Sequence, residues 1–252
     1  MTFYNIHFSP TGGTKRVADA LSNQLSDNAV TIDLCNRNTD LRAFSFVQED
    51  VCIVAVPSYG GRIPATAAQR LCQLQGNGAK AVPVAVYGNR EYEDTLIELK
   101  DILDAAGFVS IAAVSAVAEH SIVRQFAAGR PDASDIQELK QFADTIKGRL
   151  DTGSLPELKI PGNRPYKEFK GLPMHPSGDS RCVKCGICVQ SCPVGAISAE
   201  NMRKTDPGKC ICCMRCIAVC PQNARSLNPL VLAGAAKMLK KSCSGRKNNQ
   251  LI

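Results

Sequence analysis

The chain has 252 residues, of which 44% are hydrophobic and 21% charged, with no tryptophan, thirteen cysteines and a formal net charge of +7. This is ordinary for a soluble protein and leaves room for one large or two modest packed cores. No apolar run approaches the ~18 residues of a membrane span, and "MTFYNIHF" lacks the basic segment and long apolar run of a signal peptide. The expected location is therefore cytoplasmic, where thiols stay reduced and clustered cysteines usually mean metal or redox chemistry.

Residues 1–152 alternate short β-rich apolar runs with helical patterns. "TFYNIHF" reads as a first strand and "KRVADALSNQL" as a helix with Val17, Leu21 and Leu25 on one face. "AVTIDL" and "VCIVAVP" read as the next two strands. A helix over 65–74, the strand "AVPVAVY", a helix over 95–105, the strand "SIAAVSAVA" and a last helix near 134–150 follow. Strands interleaved with helices of this length imply βαβ units and a parallel sheet covered on both faces. Right-handed crossovers make a doubly wound α/β sheet the economical topology, with ligands bound beyond the carboxyl ends of the strands at the switch point. Residues 153–178 are proline-rich without a sustained period, which predicts a linker. Residues 179–228 hold the cysteine-rich segment, and 229–252 read as a short helix and a basic tail.

The cysteine spacing is the sharpest signal. Cys182, Cys185, Cys188 and Cys192 follow C-x2-C-x2-C-x3-C with Pro193 next, and Cys210, Cys213, Cys216 and Cys220 repeat it with Pro221 next. Three thiolates on a tight loop reach three corners of a [4Fe–4S] cube, and the fourth corner comes from the other half. The expected sets are Cys182, Cys185, Cys188 and Cys220 for one cluster, and Cys210, Cys213, Cys216 and Cys192 for the other. Structural zinc is the rival, although zinc sites usually take two CxxC pairs across a longer spacer. Cys212 stands outside the pattern, as a spare thiol or an exchangeable ligand. Cys35, Cys52, Cys72 and Cys243 have no assigned role, Cys52 lying in a strand that reads as buried. Gly186 and Gly195 suit the tight turns of such loops. The segment resembles the bacterial two-cluster ferredoxins.

After the first strand, "SPTGGTK" offers the hydroxyls of Ser9, Thr11 and Thr14 and the flexible Gly12 and Gly13 at a helix start, where amides and dipole favour a phosphate monoester. Pro10 contributes no N–H. The same residues also fit an ordinary strand–turn–helix corner. S-x-T-G-x-T in this position resembles the FMN phosphate loop of flavodoxins, which implies a five-stranded sheet of order 2-1-3-4-5. The resemblance continues at "PSYGGRIP", with Pro57, Ser58, Tyr59, Gly60, Gly61 and Arg62, and at "YGNREYED", with Tyr87, Gly88, Asn89 and Arg90. It implies that Tyr59 lies on the isoalloxazine face and that the glycines and Asn89 let backbone approach the ring; a surface tyrosine is the alternative. Arg62 and Arg90 could steady an anionic reduced flavin or be solvated arginines. "AEHSIV" sets Glu119, His120 and Ser121 at a strand's carboxyl end, where His120 could shuttle a proton as a catalytic residue or be a plain loop histidine.

As a whole the chain resembles the flavodoxin–ferredoxin fusion proteins of anaerobic bacteria. The resemblance implies FMN, two [4Fe–4S] clusters and electron transfer to or from a partner redox protein. The alternative is an FMN-dependent reductase acting on a small-molecule substrate. Charge bears on the partner: residues 1–152 hold 14 Lys+Arg against 18 Asp+Glu, and residues 153–252 hold 16 against 5. Two four-thiolate cubes would offset roughly four of those positive charges. The remainder suggests a basic face for an acidic protein partner, with no nucleic acid expected; a nucleic-acid-binding module is the weaker competitor. Few catalytic residues are evident besides His120 and Tyr59, which favours a carrier.

Overall fold

The computed structural model describes residues 1–153 and 157–252. Its first lobe runs β1 (Phe3–His7), α1 (Gly13–Leu25), β2 (Val30–Asp33), β3 (Val51–Pro57), α2 (Ala65–Leu71), β4 (Lys80–Tyr87), α3 (Thr95–Ala105), β5 (Val109–Ser110), β6 (Val114–Val117) and α4 (Ala133–Thr152). The strands read as near-continuous apolar runs because both faces are covered. Along β3, Cys52, Val54 and Val56 point into the core under α2 and α3, while Ile53 and Ala55 point into the core under α1 and α4. This period-two alternation divides one strand between two cores. At the start of α4, Asp132 and Asp135 form a capping box that satisfies amides of the first turn.

β1 pairs in parallel with β2 and β3, and β4 pairs in parallel with β3, β5 and β6. The expected order of five parallel strands is present, with two corrections. The fifth strand is broken into β5 and β6, and Ala113 between them exchanges both backbone hydrogen bonds with Ile252, at 2.8 and 3.0 Å. The sheet is also mixed rather than purely parallel: β9 (Gln250–Leu251) adds an antiparallel edge beside β6. The segment expected as a basic tail is therefore part of the first lobe's sheet.

The second lobe contains β7 (Ser177–Gly178), α5 (Ile187–Ser191), α6 (Arg215–Ala218), β8 (Arg225–Ser226) and α7 (Pro229–Leu239), with β7 and β8 antiparallel. The chain is clamped to the first lobe on both sides of it. Upstream, Asp94 accepts the amide N–H groups of Asn163 and Lys167 at 2.8 and 2.6 Å, Arg164 donates to Asp101 at 2.8 Å, and Ile160 is buried beside Tyr87, Tyr92 and Leu96. Downstream, Asn89 donates to the carbonyls of Cys243 and Gly245 at 2.8 and 2.7 Å. Buried Asn249 accepts the Val117 N–H at 2.9 Å and donates to Asp135 and Glu138.

Much of the charge division is spent at this seam. Arg164, Lys167, Arg246 and Lys247 from the basic half pair with Asp101, Glu93, Asp132 and Glu91 of the acidic half. Among the described residues, no helix is long and apolar enough to cross a membrane. Replacing Asn249→Ala strands the buried Val117 N–H, which costs about 1–3 kcal/mol. The expected outcome is a lower urea midpoint with an unchanged far-ultraviolet circular dichroism spectrum.

Candidate functional site

The eight patterned cysteines line two small cavities in crosswise sets. Cys182, Cys185, Cys188 and Cys220 surround one, and Cys192, Cys210, Cys213 and Cys216 surround the other. The two halves share one backbone. Lys184 and Cys212, Gly186 and Met214, and Gly195 and Asn223 are equivalent positions, and all six have positive φ. Each loop must turn through the left-handed region twice to bring its sulfurs inward, even where the residue is not glycine. After each Cys-Pro, the chain turns back so that Ala196 N–H donates to Cys192 Sγ at 3.2 Å and Ala224 N–H donates to Cys220 Sγ at 3.3 Å.

The donor chemistry of these cavities can be tested against metal. Burial pushes the Cys213 thiol up to about 12 and raises that of Cys216; holding these sulfurs as thiolates requires positive charge beside them. Among the described residues, the buried side-chain polar atoms without a hydrogen-bond partner are the Nε groups of Arg215 and Arg225. Arg225 lines the first cysteine cavity and Arg215 the second. Unpaired buried donors beside clustered sulfurs fit a centre that brings extra acceptors, as the inorganic sulfides of an iron–sulfur cube do and a zinc ion does not. The residues present fit an iron–sulfur group.

A third cavity opens at the carboxyl ends of β1, β3, β4 and β6, the switch-point position of an open α/β sheet. Pro10, Thr11, Gly13 and Thr14 line it at the start of α1, where the cap residue Gly12 has no side chain and Ser9 Oγ takes the Lys15 N–H. Pro57, Ser58, Tyr59 and Gly60 form one side; Tyr87, Gly88, Glu119, His120 and Ser121 form another. The remaining wall comes from outside the first lobe, from Phe169, Leu172, Ile211 and Cys212. Gly60 has φ +62°, and a Cβ there would meet the Phe169 ring at 2.2 Å, so only glycine allows this wall to close. A Cβ at Gly88 would likewise meet His120 at 2.7 Å. A helix start with Thr11 and Thr14 in a cavity also lined by Tyr59 and Tyr87 fits a flavin mononucleotide.

His120 accepts the amide N–H groups of Ile122 and Val123 at Nδ1, at 3.2 and 3.1 Å. Its neutral form therefore carries the proton on Nε2. Burial holds its pKa below the usual imidazole value, with the Arg90 charge adding to the effect. The Tyr59 phenol is pushed well above its ordinary value, first by burial and then by the nearby Cys213, Cys35, Cys212 and Cys210.

Six residues proposed for the ring or phosphate lie elsewhere. Ser9 accepts the Lys15 N–H at 2.8 Å and so caps the helix turn. Gly12 lines a wider neighbouring cavity, and a Cβ on Gly61 would collide with Glu93. Arg62 is held by Glu98 at 2.7 and 2.8 Å, and Arg90 by Glu93 at 2.9 and 3.1 Å. Asn89 anchors the C-terminal segment. The Arg62, Arg90 and Asn89 side chains are thus engaged by carboxylates and carbonyls of the protein itself. Phe169, Leu172, Ile211 and Cys212 carried no sequence motif for this cavity; the available signal was two apolar residues in a polar linker. Cys212 is 4% exposed, and its thiol points at the carbonyls of Met174 and Leu172 at 2.8 and 3.2 Å. It belongs to neither cysteine cavity, although His175, Cys210 and Cys212 have donor atoms within 4.8 Å of one another.

Residues 173–225 match the family described as the 4Fe-4S dicluster domain. The NADH-quinone oxidoreductase subunit I of Tolumonas auensis is 38% identical over 65 residues, covering 26% of this chain and 36% of that protein. The same subunit of Psychrobacter cryohalolentis is 38% identical over 56 residues, covering 22% and 31%. The matched region thus spans about a third of the length of these curated relatives. Among solved structures, the Streptococcus pneumonia TIGR4 flavodoxin is 20% identical, covering 59% of this chain and 99% of that one at a TM-score of 0.44. A short-chain flavodoxin associated with a PDU bacterial microcompartment is 18% identical, covering 60% and 99% at a TM-score of 0.43. The sheet order and the matched cysteine segment define a flavodoxin-like α/β lobe followed by a 4Fe–4S ferredoxin-like domain.

Because the folded His120 pKa is depressed, the unfolded chain binds more protons as pH falls, so the stability due to neutral His120 is present above about 6.5 and lost below it. Urea midpoints measured from pH 7.5 to 5.5 should fall more steeply for the wild type than for His120→Gln.

Proposed function

We propose that the protein is an electron carrier that exchanges single electrons between two [4Fe–4S] clusters and FMN and passes reducing equivalents to or from a partner redox protein. The observation that carries this reading is the shared wall: Ile211 lines both the second cysteine cavity and the cavity at the sheet's carboxyl ends. Cys182, Cys185, Cys188 and Cys220 would hold one cluster, and Cys210, Cys213, Cys216 and Cys192 the other. Thr11, Gly13 and Thr14 would take the FMN phosphate, with Tyr59, Gly60 and Gly88 against the ring and His120 offering its Nε2–H. When bound, the clusters supply one electron at a time, and the flavin stores one or two.

The chain's own contribution is enclosure and fixed placement. Phe169, Leu172, Ile211 and Cys212 exclude water from the cavity, and the clamps on either side of the ferredoxin-like domain keep that wall in place. The thirteen free cysteines suit a reducing compartment such as the cytoplasm.

A reductase reading has one observation behind it. A cavity of about 1120 Å³ adjoins the first, sharing Thr11, Gly13, Glu119, Ser121 and Ile122 and extending to α7. A small substrate held there would make the flavin oxidisable by an organic acceptor without any protein partner.

Anaerobic isolation should give one FMN and about eight irons per chain, and Cys185→Ser should lower the iron by about half. An optical titration with a low-potential reductant should resolve separate cluster and flavin phases. Zinc in place of iron, or a colourless protein that does not reconstitute, would overturn the reading.

A further inference from the structure

The duplicated cysteine loops present one backbone to two different surroundings. Resting on the reading above, we propose that the outer loop, residues 181–187, is the docking surface for a separate acidic one-electron redox protein, while its duplicate, residues 209–215, makes the corresponding contact internally against the flavin lobe.

The inner copy shows what this loop does when covered. Ile211 and Cys212 line the flavin cavity, and Cys213 is only 8% exposed. Arg215 reaches the carbonyl of Ser9 at 3.3 Å and the carboxylate of Asp33 at 3.8 Å. The inner loop therefore meets the first lobe with an apolar residue, a cysteine backing the metal site and a cation facing a carboxylate.

The outer copy has the same parts and nothing over them. Val183 replaces Ile211 and is 63% exposed; Ile187 replaces Arg215 and is 38% exposed. Cys185, the equivalent of buried Cys213, is itself exposed. Lys184, in place of Cys212, makes no ion pair among the described residues. Arg181 and Arg203 stand nearby, and the Asp179 carboxylate is held by Arg181 at 2.6 Å. Arg164, Lys167 and Arg246 of this half pair with carboxylates of the first lobe, whereas Lys184 pairs with none among the described residues.

A small apolar centre beside Lys184 and Arg203, neither in an ion pair among the described residues, suits a transient, electrostatically steered contact with an acidic partner. The partner's centre loses one electron and the chain gains one; no bond or proton changes hands. Entry lies at the set Cys182, Cys185, Cys188 and Cys220, and the set containing Cys213 faces the flavin.

The test uses anaerobic holoprotein and an acidic plant-type [2Fe–2S] ferredoxin as probe. In titration calorimetry with the oxidised probe, Lys184→Glu and Val183→Asp should each weaken binding about tenfold and flatten its salt dependence. Met238→Asp, on exposed α7, should leave binding unchanged. With the reduced probe in stopped flow, the two loop variants should slow reduction similarly, while reduction by dithionite stays at the wild-type rate. Cys213→Ser should leave the outer set reducible at wild-type speed, read by freeze-quench EPR, with the flavin still oxidised. Binding indifferent to both loop variants, binding equally weakened by Met238→Asp, or wild-type flavin reduction in Cys213→Ser would overturn the proposal. Wild-type protein lacking FMN or iron would instead overturn the carrier reading itself.

Discussion

The arrangement depends on one constraint: the ferredoxin-like domain is held to the α/β lobe on both sides of itself. Before it, carboxylates on and around α3 grip residues 163–167; after it, Asn249 and β9 close the sheet edge. A domain tethered at one end samples a volume, whereas one tethered at both ends has few placements left. That restriction lets Ile211 and Cys212 act as a permanent wall of a cavity whose other lining residues begin some two hundred residues earlier in the chain.

Charge provides much of the grip. The acidic first half and basic second half attract each other, and several ion pairs span the seam. Such pairs are individually weak where exposed, but several acting between the same two bodies fix their relative orientation. Arg130 and Asp135 are the buried exception, paired at 2.8 Å and joined by Arg246 and Asn249 from the returning chain. At the outer cysteine loop, by contrast, Lys184 pairs with no carboxylate among the described residues.

The internal duplication separates what a motif imposes from what its surroundings impose. Both loops take the same left-handed turns and both place an alanine N–H on the sulfur after the turn, because metal-site geometry demands it. They differ where their surfaces look. Lys184 suits water, and Cys212 suits a dry wall under the carbonyls of Leu172 and Met174. Two of the chain's arginines reach the cysteine cavities with an Nε left free, so the cation content of this half serves the buried sulfurs as well as the surface.

Some of this was legible before any coordinates. The alternation in "VCIVAVP", the two cysteine series and the "SPTGGTK" corner are local patterns, and local patterns report on backbone period, turn geometry and donor type. They determined a doubly wound parallel α/β lobe, the cysteine-rich domain and a cavity at the sheet's carboxyl ends, while the strand order came from the resemblance to flavodoxins. They did not reveal that Arg62, Arg90 and Asn89 are held by Glu98, Glu93 and the C-terminal carbonyls, or that a basic tail completes the sheet through Asn249 and β9. Nor did they show that Phe169 and Leu172 close over Gly60. Those outcomes were decided by tertiary structure, because each depends on which distant groups meet, and hydrogen bonding and packing between residues far apart in the chain leave no period for a sequence to display.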